Sequence, residues 1–256
     1  MKVNYGGTVP ISTVDWTGKA AVTIFFRGCP LRCPYCHNHP YLDETDLVEL
    51  DFVKNEIEKS RPFVSAVIFS GGEPLMQAAI VPLAEFAKEK GFFVGIHTNG
   101  CYPERAAELI ERNLVDRFFV DVKAPLDDPV LYGKVAGYGT YVAVKTSPEE
   151  IVAAVARTIA NVDSGGTGLE LRTTVIRDFI GSEAEISRIA AWISENVKNA
   201  DPGYVIQQGL PEHGMQESLQ ARSFLDREEM LGLARVAKNF QKNVRIRTRE
   251  EGEEGV

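Results

Sequence analysis

Three of the four cysteines lie within eight residues, in the segment Cys29-Pro30-Leu31-Arg32-Cys33-Pro34-Tyr35-Cys36. A loop this short, stiffened by two prolines, can bring three thiolates to one metal centre. Three thiolates are one fewer than the four that usually hold a cubane iron–sulfur cluster, so one iron would stay open to a substrate. Structural zinc is the alternative, with His37, His39 or Cys101 as a fourth ligand.

Three further short motifs each follow a strand-like segment. They are Ser70-Gly71-Gly72-Glu73-Pro74, Thr98-Asn99-Gly100 and Asp121-Val122-Lys123. In a parallel α/β fold, these motifs and the cysteine loop meet at the carboxyl ends of the strands, where ligands bind. Paired glycines would let a ligand approach the backbone closely, although they are also ordinary in a strand-to-helix turn. Asp121 and Lys123 could equally form a surface ion pair.

The segments that must position these motifs alternate between strand and helix patterns. Near-continuous apolar or β-branched runs predict strands covered on both faces: Ala21–Phe26, Ala66–Ser70, Phe92–Thr98, Arg117–Val122, Leu169–Val175 and Gly203–Gln207. Helical patterns lie at Asp51–Ser60, Met76–Lys90 and Pro103–Asn113, and further helices start at Ser147, Ser182 and Asp226. Six βα units in series predict an α/β fold, an open partial (β/α)6 TIM-like barrel with parallel strands.

The remaining segments are predicted to form an edge and a tail. Val244–Arg247 predicts one short edge strand, whose arginines form a solvated face together with Arg249. Arg172, among apolar neighbours on the fifth strand, must face polar partners or the mouth of the barrel. Because no linker divides the chain, we expect a single domain over residues 1–249. The acidic, glycine-containing segment 250–256 is predicted to be a disordered tail.

Composition limits the possible classes of function. The 256 residues carry 28 Lys and Arg against 36 Asp and Glu, a formal net charge of −8, which disfavours a protein that coats nucleic acid. An apolar content of 44% excludes a wholly disordered chain. No apolar run reaches the ~20 residues of a membrane span, and the first residues lack the apolar core of a signal peptide. We therefore expect a cytoplasmic protein with no nucleic-acid or membrane partner.

The four motifs, in this order, resemble those of radical S-adenosylmethionine (SAM) enzymes. The three-cysteine spacing after the first strand, with an aromatic residue before the last cysteine, is similar to the signature of that superfamily. Gly71-Gly72-Glu73-Pro74 follows the second strand as its GGEP motif does. The opening segment Ser12–Lys19 and the run Cys36-His37-Asn38 resemble glycyl-radical-enzyme activases, specifically the activating proteins of anaerobic ribonucleoside-triphosphate reductase. The similarity extends from about Ser12 to Thr174.

This resemblance implies a barrel of the radical SAM type and two cofactors, a 4Fe–4S cluster and SAM. It assigns the cluster to Cys29, Cys33 and Cys36. It assigns SAM to Tyr35, near the adenine, to Glu73, as an acceptor for the amine, and to Gly71, Gly72, Asn99, Asp121, Lys123 and Arg172. Reductive cleavage of SAM would yield a 5′-deoxyadenosyl radical that makes a glycyl radical on anaerobic ribonucleotide reductase or another glycyl radical enzyme. A low-potential electron donor, flavodoxin or ferredoxin, is also implied.

Three residues depart from that pattern or add to it. Pyruvate formate-lyase activases carry Asp before Thr-Asn-Gly, where it helps to hold a monovalent cation; His97 stands there in this chain and is predicted to be a satisfied core histidine. Cys101 alone cannot supply an auxiliary cluster, and His213 could lie near the adenine. Two other functions stay open: a radical SAM enzyme acting on a small molecule, such as 7-carboxy-7-deazaguanine synthase, and a non-catalytic zinc protein.

Overall fold

The computed structural model describes residues 1–140, 143–198 and 201–256. Its strands are β1 (Lys2–Ser12), β2 (Ala21–Phe26), β3 (Leu47–Glu49), β4 (Ala66–Gly71), β5 (Phe93–Thr98), β6 (Arg117–Asp121), β7 (Gly168–Val175), β8 (Gly203–Gln208), β9 (Val244–Thr248) and β10 (Gly252–Gly255). Its helices are α1 (Leu50–Ser60), α2 (Ile80–Glu89), α3 (Pro103–Glu111), α4 (Pro129–Val135), α5 (Pro148–Ser164), α6 (Glu183–Asn196), α7 (Glu217–Gln220) and α8 (Arg227–Ala237).

The strands form one sheet in the order β10-β9-β8-β7-β6-β5-β4-β2-β1-β3. The central strands, β2 and β4 to β9, run parallel to their neighbours, while β1, β3 and β10 join antiparallel. Within the described residues, the two ends of this order do not pair with each other, so the sheet stays open. The predicted partial (β/α)6 barrel is therefore confirmed, and β9 adds a seventh parallel strand.

Three helices start where their capping residues predict. In α5, α6 and α8 the side chains of Ser147, Ser182 and Asp226 accept a hydrogen bond from the backbone three residues on, and the glutamate there accepts one in return. This arrangement satisfies N–H groups that have no partner within the first turn. Helix α2 begins at Ile80 rather than Met76, because Pro74–Met76 forms a separate 3₁₀ turn. In the part of the chain that is described, no helix has the length and apolar character needed to cross a membrane.

The inside of the barrel is filled at the amino ends of the strands. Trp16, in the loop between β1 and β2, is buried in an interior cluster with Ala21, Ala66, Ile68 and Phe119. Gly95 on β5 leaves room for this cluster, since a Cβ there would lie 2.5 Å from Ile68 and 3.1 Å from the indole of Trp16. The opposite end of the interior, at the carboxyl ends of the strands, is left for a cavity.

The prediction of a disordered tail is wrong, because residues 252–255 form a strand. Strand β10 pairs antiparallel with β9 along its whole length. Successive side chains of a strand point to opposite faces: Glu253 contacts Arg245 and Arg247, whereas Glu254 pairs with Arg227 at 2.7 Å. Each face of β10 therefore presents a glutamate that meets a guanidinium group. These ion pairs hold in place a segment whose composition alone would leave it disordered.

The prediction that Arg245, Arg247 and Arg249 form a solvated face is also wrong for the two arginines that lie on β9. Val244 and Ile246 pack in the core between the sheet and the helices, so Arg245 and Arg247 face the interior of the barrel. Their side chains are only 19% and 22% exposed. Arg249, just beyond the strand, is the one with a largely exposed side chain.

Candidate functional site

A cavity of about 500 Å³ lies at the carboxyl ends of the parallel strands. This volume is in the range of small-molecule and cofactor sites. Ten of the eleven residues that the sequence assigned to the cofactors line it, namely Cys29, Cys33, Tyr35, Cys36, Gly71, Gly72, Asn99, Asp121, Lys123 and Arg172. The fold therefore brings together residues that are up to 143 positions apart in the chain. Glu73 is the exception, because it does not line the cavity.

The cysteine loop is held in shape by hydrogen bonds to its own backbone. The buried guanidinium of Arg32 donates to the carbonyl oxygens of Cys29 at 2.6 Å and Leu31 at 2.9 Å. The N–H of Cys36 donates to the carbonyl oxygen of Cys33 at 2.9 Å. These bonds lie within the loop and fix its shape, and all three thiols line the cavity.

Burial governs the acidity of the three thiols. It raises the pKa of Cys29, of Cys33 and, to about 12, of Cys36, because a thiolate loses its hydration inside the protein. The charge of Lys123 acts in the opposite direction on the pKa of Cys33 and Cys36, and the side-chain amide of Asn99 donates to Cys29 Sγ at 3.4 Å. A bound metal centre would supply the positive charge that these thiols need to ionise.

The paired glycines allow two strand ends to meet. At Gly71, where φ is +104°, a Cβ would lie 2.5 Å from the backbone of Phe26, and at Gly72 it would lie 2.0 Å from the carbonyl oxygen of Gly28. The N–H of Gly72 donates to the carbonyl oxygen of Phe26 at 2.8 Å. Contact between the ends of β4 and β2 therefore requires both glycines. The sequence had suggested a different reason for the glycines, the close approach of a ligand to the backbone.

Glu73 is fully buried, and its carboxylate is occupied by protein donors. One oxygen accepts from Leu75 N at 3.0 Å and from Thr98 Oγ1 at 2.7 Å, and the other accepts from Asn99 N at 2.8 Å. Burial nevertheless raises the pKa of Glu73 to about 7. The sequence placed this carboxylate at the amine of SAM; in the structure it joins the start of the 3₁₀ turn to the end of β5 and so positions Asn99.

Lys123 and Asp121 form an ion pair at the cavity. Lys123 Nζ lies 3.0 Å from Asp121 Oδ2, and the Lys123 side chain is only 9% exposed. The hydroxyl of Tyr132 donates to the Asp121 carbonyl oxygen at 3.4 Å. Burial opposes the charge of Lys123, but Asp121 and Cys33 outweigh it, so the pKa of Lys123 is raised well above its ordinary value. The cavity thus contains a permanent ammonium group close to the cysteine thiols.

The floor of the cavity consists of Asp15, His97 and Arg172. His97 Nε2 lies 3.1 Å from the carbonyl oxygen of Asp15 and 3.3 Å from Arg172 Nη1, and its Nδ1 lies 3.4 Å from Ser70 Oγ. Burial and the charge of Arg172 lower the pKa of His97 well below its ordinary value. His97 is therefore a neutral histidine with partners at both ring nitrogens, as predicted, and the cation next to it is the Arg172 guanidinium.

Sequence reasoning missed the side of the cavity opposite the cysteine loop. This far wall is formed by the ends of β7, β8 and β9, and its residues are Thr174, Gln207, Gln208, Arg247, Thr248 and Arg249. The Gln207 amide donates to Thr174 Oγ1 at 3.2 Å and accepts from Arg247 at 3.0 Å. The alternation of arginine with buried valine and isoleucine in β9 was the available signal, since it places the arginines on the face opposite the helices.

Two residues whose role the sequence left open do not line the cavity. The N–H of Cys101 donates to Asn99 Oδ1 at 2.9 Å. The ring of His213 packs edge-on against His37, with 5.6 Å between the ring centroids. The backbone of Cys101 therefore fixes the side chain of Asn99, and His213 supports His37, the residue that follows the cysteine loop.

The donor set fits an iron–sulfur cluster with one open iron. Three thiols, the amide of Asn99 and the ammonium of Lys123 meet at one cavity, and N–H groups beside the sulfurs are usual around such clusters. Among the described residues, no three His, Cys, Asp or Glu side chains are arranged to hold a single metal ion. A cubane cluster does not need that arrangement, because each of its thiolates binds a separate iron.

Similar proteins point to the same chemistry. Residues 23–170 match the Radical SAM superfamily. A protein of Methanocaldococcus jannaschii, provisionally named a glycyl-radical enzyme activating enzyme, is 34% identical over 250 residues, 97% of each chain. The pyruvate formate-lyase-activating enzyme of Clostridium pasteurianum is 27% identical over 195 residues, 73% of this chain and 74% of that enzyme. A shorter similarity to the 7-carboxy-7-deazaguanine synthase of M. jannaschii, 32% identity over 106 residues, covers 35% of this chain and 44% of the synthase.

These similarities confirm the predicted superfamily and its two cofactors. Radical SAM proteins use a 4Fe–4S cluster and SAM, which are therefore the cofactors of this chain. The superfamily match spans more than half of the chain, and the similarity to the activating enzyme of M. jannaschii spans nearly all of it. The chain belongs to the radical SAM superfamily and, within it, to the family of glycyl-radical-enzyme activating enzymes.

Proposed function

We propose that the protein generates a glycyl radical on anaerobic ribonucleoside-triphosphate reductase. The observation that carries this proposal is the cavity in which three buried thiols lie beside Lys123 and Asn99. The relative that matches along nearly the whole chain, and is named as an activating enzyme, supports it. The choice of target rests on the resemblance of Ser12–Lys19 and Cys36-His37-Asn38 to the reductase-activating proteins.

The proposed cluster ligands are Cys29, Cys33 and Cys36. When bound, the cluster and SAM supply a 5′-deoxyadenosyl radical that removes a hydrogen atom from glycine. The protein's part is to place charges and exclude water around them. Lys123, which stays charged beside Asp121, would offer its ammonium to the SAM carboxylate as a compact point charge.

The other residues assigned to SAM fall into two groups in this proposal. Tyr35 and Arg172 both line the cavity, where Tyr35 would pack near the adenine and Arg172 would contact SAM, as the family resemblance implies. The backbone carbonyls of Gly71 and Gly72 would accept hydrogen bonds from the SAM amine. Glu73 acts indirectly, as a positioning residue. Its carboxylate accepts hydrogen bonds from Thr98 and Asn99 and so holds the end of β5 in place.

The cleavage of SAM needs an electron from outside the protein. We propose a low-potential protein donor, flavodoxin or ferredoxin, in keeping with the family resemblance. The cytoplasm is the proposed compartment, because its reducing conditions keep cysteines available as thiols. The net charge of −8 argues against nucleic acid as a partner.

The test is anaerobic incubation of the reconstituted protein with SAM, a reductant and the cognate reductase, followed by electron paramagnetic resonance. We expect a doublet from a radical on a glycine near the C-terminus of the reductase, which collapses when the glycine α-hydrogens are replaced by deuterium. Replacing that glycine by alanine should remove the signal without stopping all SAM cleavage. A reductase that acquires no radical under these conditions would contradict the proposal.

A matched pair of cysteine variants tests the cluster ligands. Cys33→Ala should lose iron and sulfide, because Cys33 lines the cavity, whereas Cys101→Ala should keep both, because Cys101 does not. Chemical analysis of iron, sulfide and zinc in anaerobically purified protein makes the measurement. Stoichiometric zinc without sulfide in the parent protein would rule out the assignment.

The local similarity to a 7-carboxy-7-deazaguanine synthase supports a second candidate, a radical SAM enzyme that acts on a small molecule. The two candidates differ in what stimulates SAM cleavage. If a small molecule increases the formation of 5′-deoxyadenosine while the reductase acquires no radical, the second candidate replaces the first.

A further inference from the structure

A row of alternating charges crosses the interior of the barrel from β7 to β10. Arg172 Nε donates to one oxygen of Glu170 at 2.7 Å, and the other oxygen accepts from Arg245 at 2.9 Å. Arg245 also contacts one oxygen of Glu253, whose second oxygen contacts Arg247. Each carboxylate in this row is therefore shared between two guanidinium groups.

The row determines the charge of the cavity, because Arg172 and Arg247 both belong to its lining. The three arginines of the row carry three positive charges. Glu170, Glu253 and the cavity-lining Asp15 carry three negative charges. Arg249, the remaining arginine of the far wall, has its own partner in Glu212 at 3.2 Å. The far wall and floor are thus neutral only while Glu253 is present.

Glu253 comes from the C-terminal strand and is held tightly. Its side chain is 7% exposed, and the hydroxyl of Thr17, from the opposite end of the chain, donates to it at 2.8 Å. Burial opposes its ionisation, but Arg247, Thr17 and Arg245 together lower the pKa of Glu253. The carboxylate is therefore an anion fixed where two guanidinium groups converge.

We infer that Glu253 is a specificity-determining residue that excludes small anions from the far wall of the cavity. Its carboxylate occupies Arg245 and Arg247, so neither guanidinium is available to a carboxylate or phosphate of a ligand. The other groups of the far wall include the amide of Gln207 and the hydroxyl of Thr174, which are uncharged and hydrogen-bonded to each other. The inference rests on the proposed function, because such a wall favours an uncharged polypeptide loop over an anionic small molecule.

The neighbouring residue provides a matched control. Glu254 lies on the same strand and has the same charge, but it points to the other face and pairs with Arg227 at 2.7 Å. Neither Glu254 nor Arg227 lines the cavity. Neutralising Glu254 therefore changes the net charge of the protein equally while leaving the cavity unchanged.

The experiment compares Glu253→Gln with Glu254→Gln in the reconstituted protein, with inorganic phosphate as the probe in titration calorimetry. We expect Glu253→Gln to bind phosphate at least about tenfold more tightly than the parent, because one charged hydrogen bond is worth that much or more. Glu254→Gln should bind phosphate as the parent does. Parent-like binding by a folded Glu253→Gln variant would overturn the inference.

Arg247 variants identify the group responsible. Adding Arg247→Met to Glu253→Gln should abolish the gain, since it removes the guanidinium that the glutamine leaves without a carboxylate, whereas Arg245 keeps Glu170 as its partner. The single variant Arg247→Met should bind phosphate as the parent does, because Arg247 is already neutralised there. If the parent binds phosphate and Arg247→Met does not, Arg247 is available to anions in the parent and the inference is overturned. This outcome can be measured even if Glu253→Gln does not fold. These titrations need neither SAM cleavage nor a target protein, so their failure is distinguishable from failure of the radical experiment.

Discussion

Glu73 shows how fully a single buried carboxylate can be committed to the protein itself. Three donors, from Leu75, Thr98 and Asn99, occupy its two oxygens. Even so, the desolvation of the charged form is large enough to raise the pKa of Glu73 to about 7. The protonation of this residue is therefore coupled to the folding equilibrium.

The variant Glu73→Gln tests this coupling through the pH dependence of stability. Because the pKa of Glu73 rises from 4.5 to about 7 on folding, its protonation stabilises the folded protein below the lower value, and this contribution is lost as the pH rises through the upper one. Between ~pH 4 and ~pH 8, the free energy of unfolding of the parent relative to Glu73→Gln should fall by up to about 3 kcal/mol. Denaturant unfolding at both pH values makes the measurement.

Glu89→Gln is the control for this prediction, because Glu89 is exposed on α2. The stability of that variant relative to the parent should not change over the same pH range. A constant difference between the parent and Glu73→Gln would show that Glu73 titrates normally, and the argument from burial would fail.

At the scale of single residues, the sequence predicted which residues lie at the site better than it predicted which side chains form ion pairs there. Through its family resemblance the sequence assigned eleven residues to the cofactors, and ten of them line the cavity. It did not predict that Arg172 and Arg247 are neutralised by Glu170 and Glu253. Those ion pairs depend on which strands are neighbours in the sheet. The spacing of residues along the sequence does not show which strands are neighbours.

Among the elements, the parallel strands were predictable and the antiparallel ones were not. A strand covered on both faces is apolar over most of its length, as β4 is before Ser70 and β8 is before Gln207. Strand β1 has no such pattern, since Val9 and Ile11 are exposed and the strand contains two glycines. Strand β10 consists of glycine and glutamate alone. Its strand structure comes from partners on β9 and α8 rather than from its own propensity.

The interior packing of β5 can be tested with two glycine variants. In Gly95→Ala the new methyl group would lie 2.5 Å from Ile68 and 3.0 Å from Phe119. We expect a loss of about 1–3 kcal/mol in the free energy of unfolding, because the filled end of the barrel has no space to adjust. Gly232→Ala in α8, whose Cβ meets no atom within 4 Å, should instead gain about 0.5–1 kcal/mol. Equal stability of Gly95→Ala and the parent would mean that the interior around Trp16 is loosely packed.

For the whole molecule, the first and last segments of the chain meet at the open side of the barrel. Thr17 follows β1 and Glu253 lies on β10, yet their side chains share a hydrogen bond across 236 positions of sequence. The same region joins Trp16, which fills the amino end of the interior, to the charge row that neutralises the cavity. The C-terminal strand therefore contributes both to the stability of the barrel and to the charge of the site.

Removal of residues 250–256 tests that contribution to stability. It would leave Arg245 and Arg247 without Glu253 and Arg227 without Glu254, and it would expose the edge of β9. Breaking a buried ion pair by removing one partner typically costs about 3–5 kcal/mol, which for a domain of this size lowers the melting temperature by roughly 6 °C or more. Thermal unfolding followed by circular dichroism makes the measurement.

The double variant Glu250→Gln with Glu251→Gln separates this effect from a change in net charge. Both residues are exposed at the turn before β10, so neutralising them removes two negative charges and leaves the strand in place. That variant should melt with the parent, because surface substitutions away from specific contacts are nearly neutral. If the truncated protein also melts with the parent, β10 contributes nothing to the barrel, and Arg245 and Arg247 must find other partners when it is absent. A large loss confined to the truncation would instead establish that the acidic end of the chain is a structural part of the barrel.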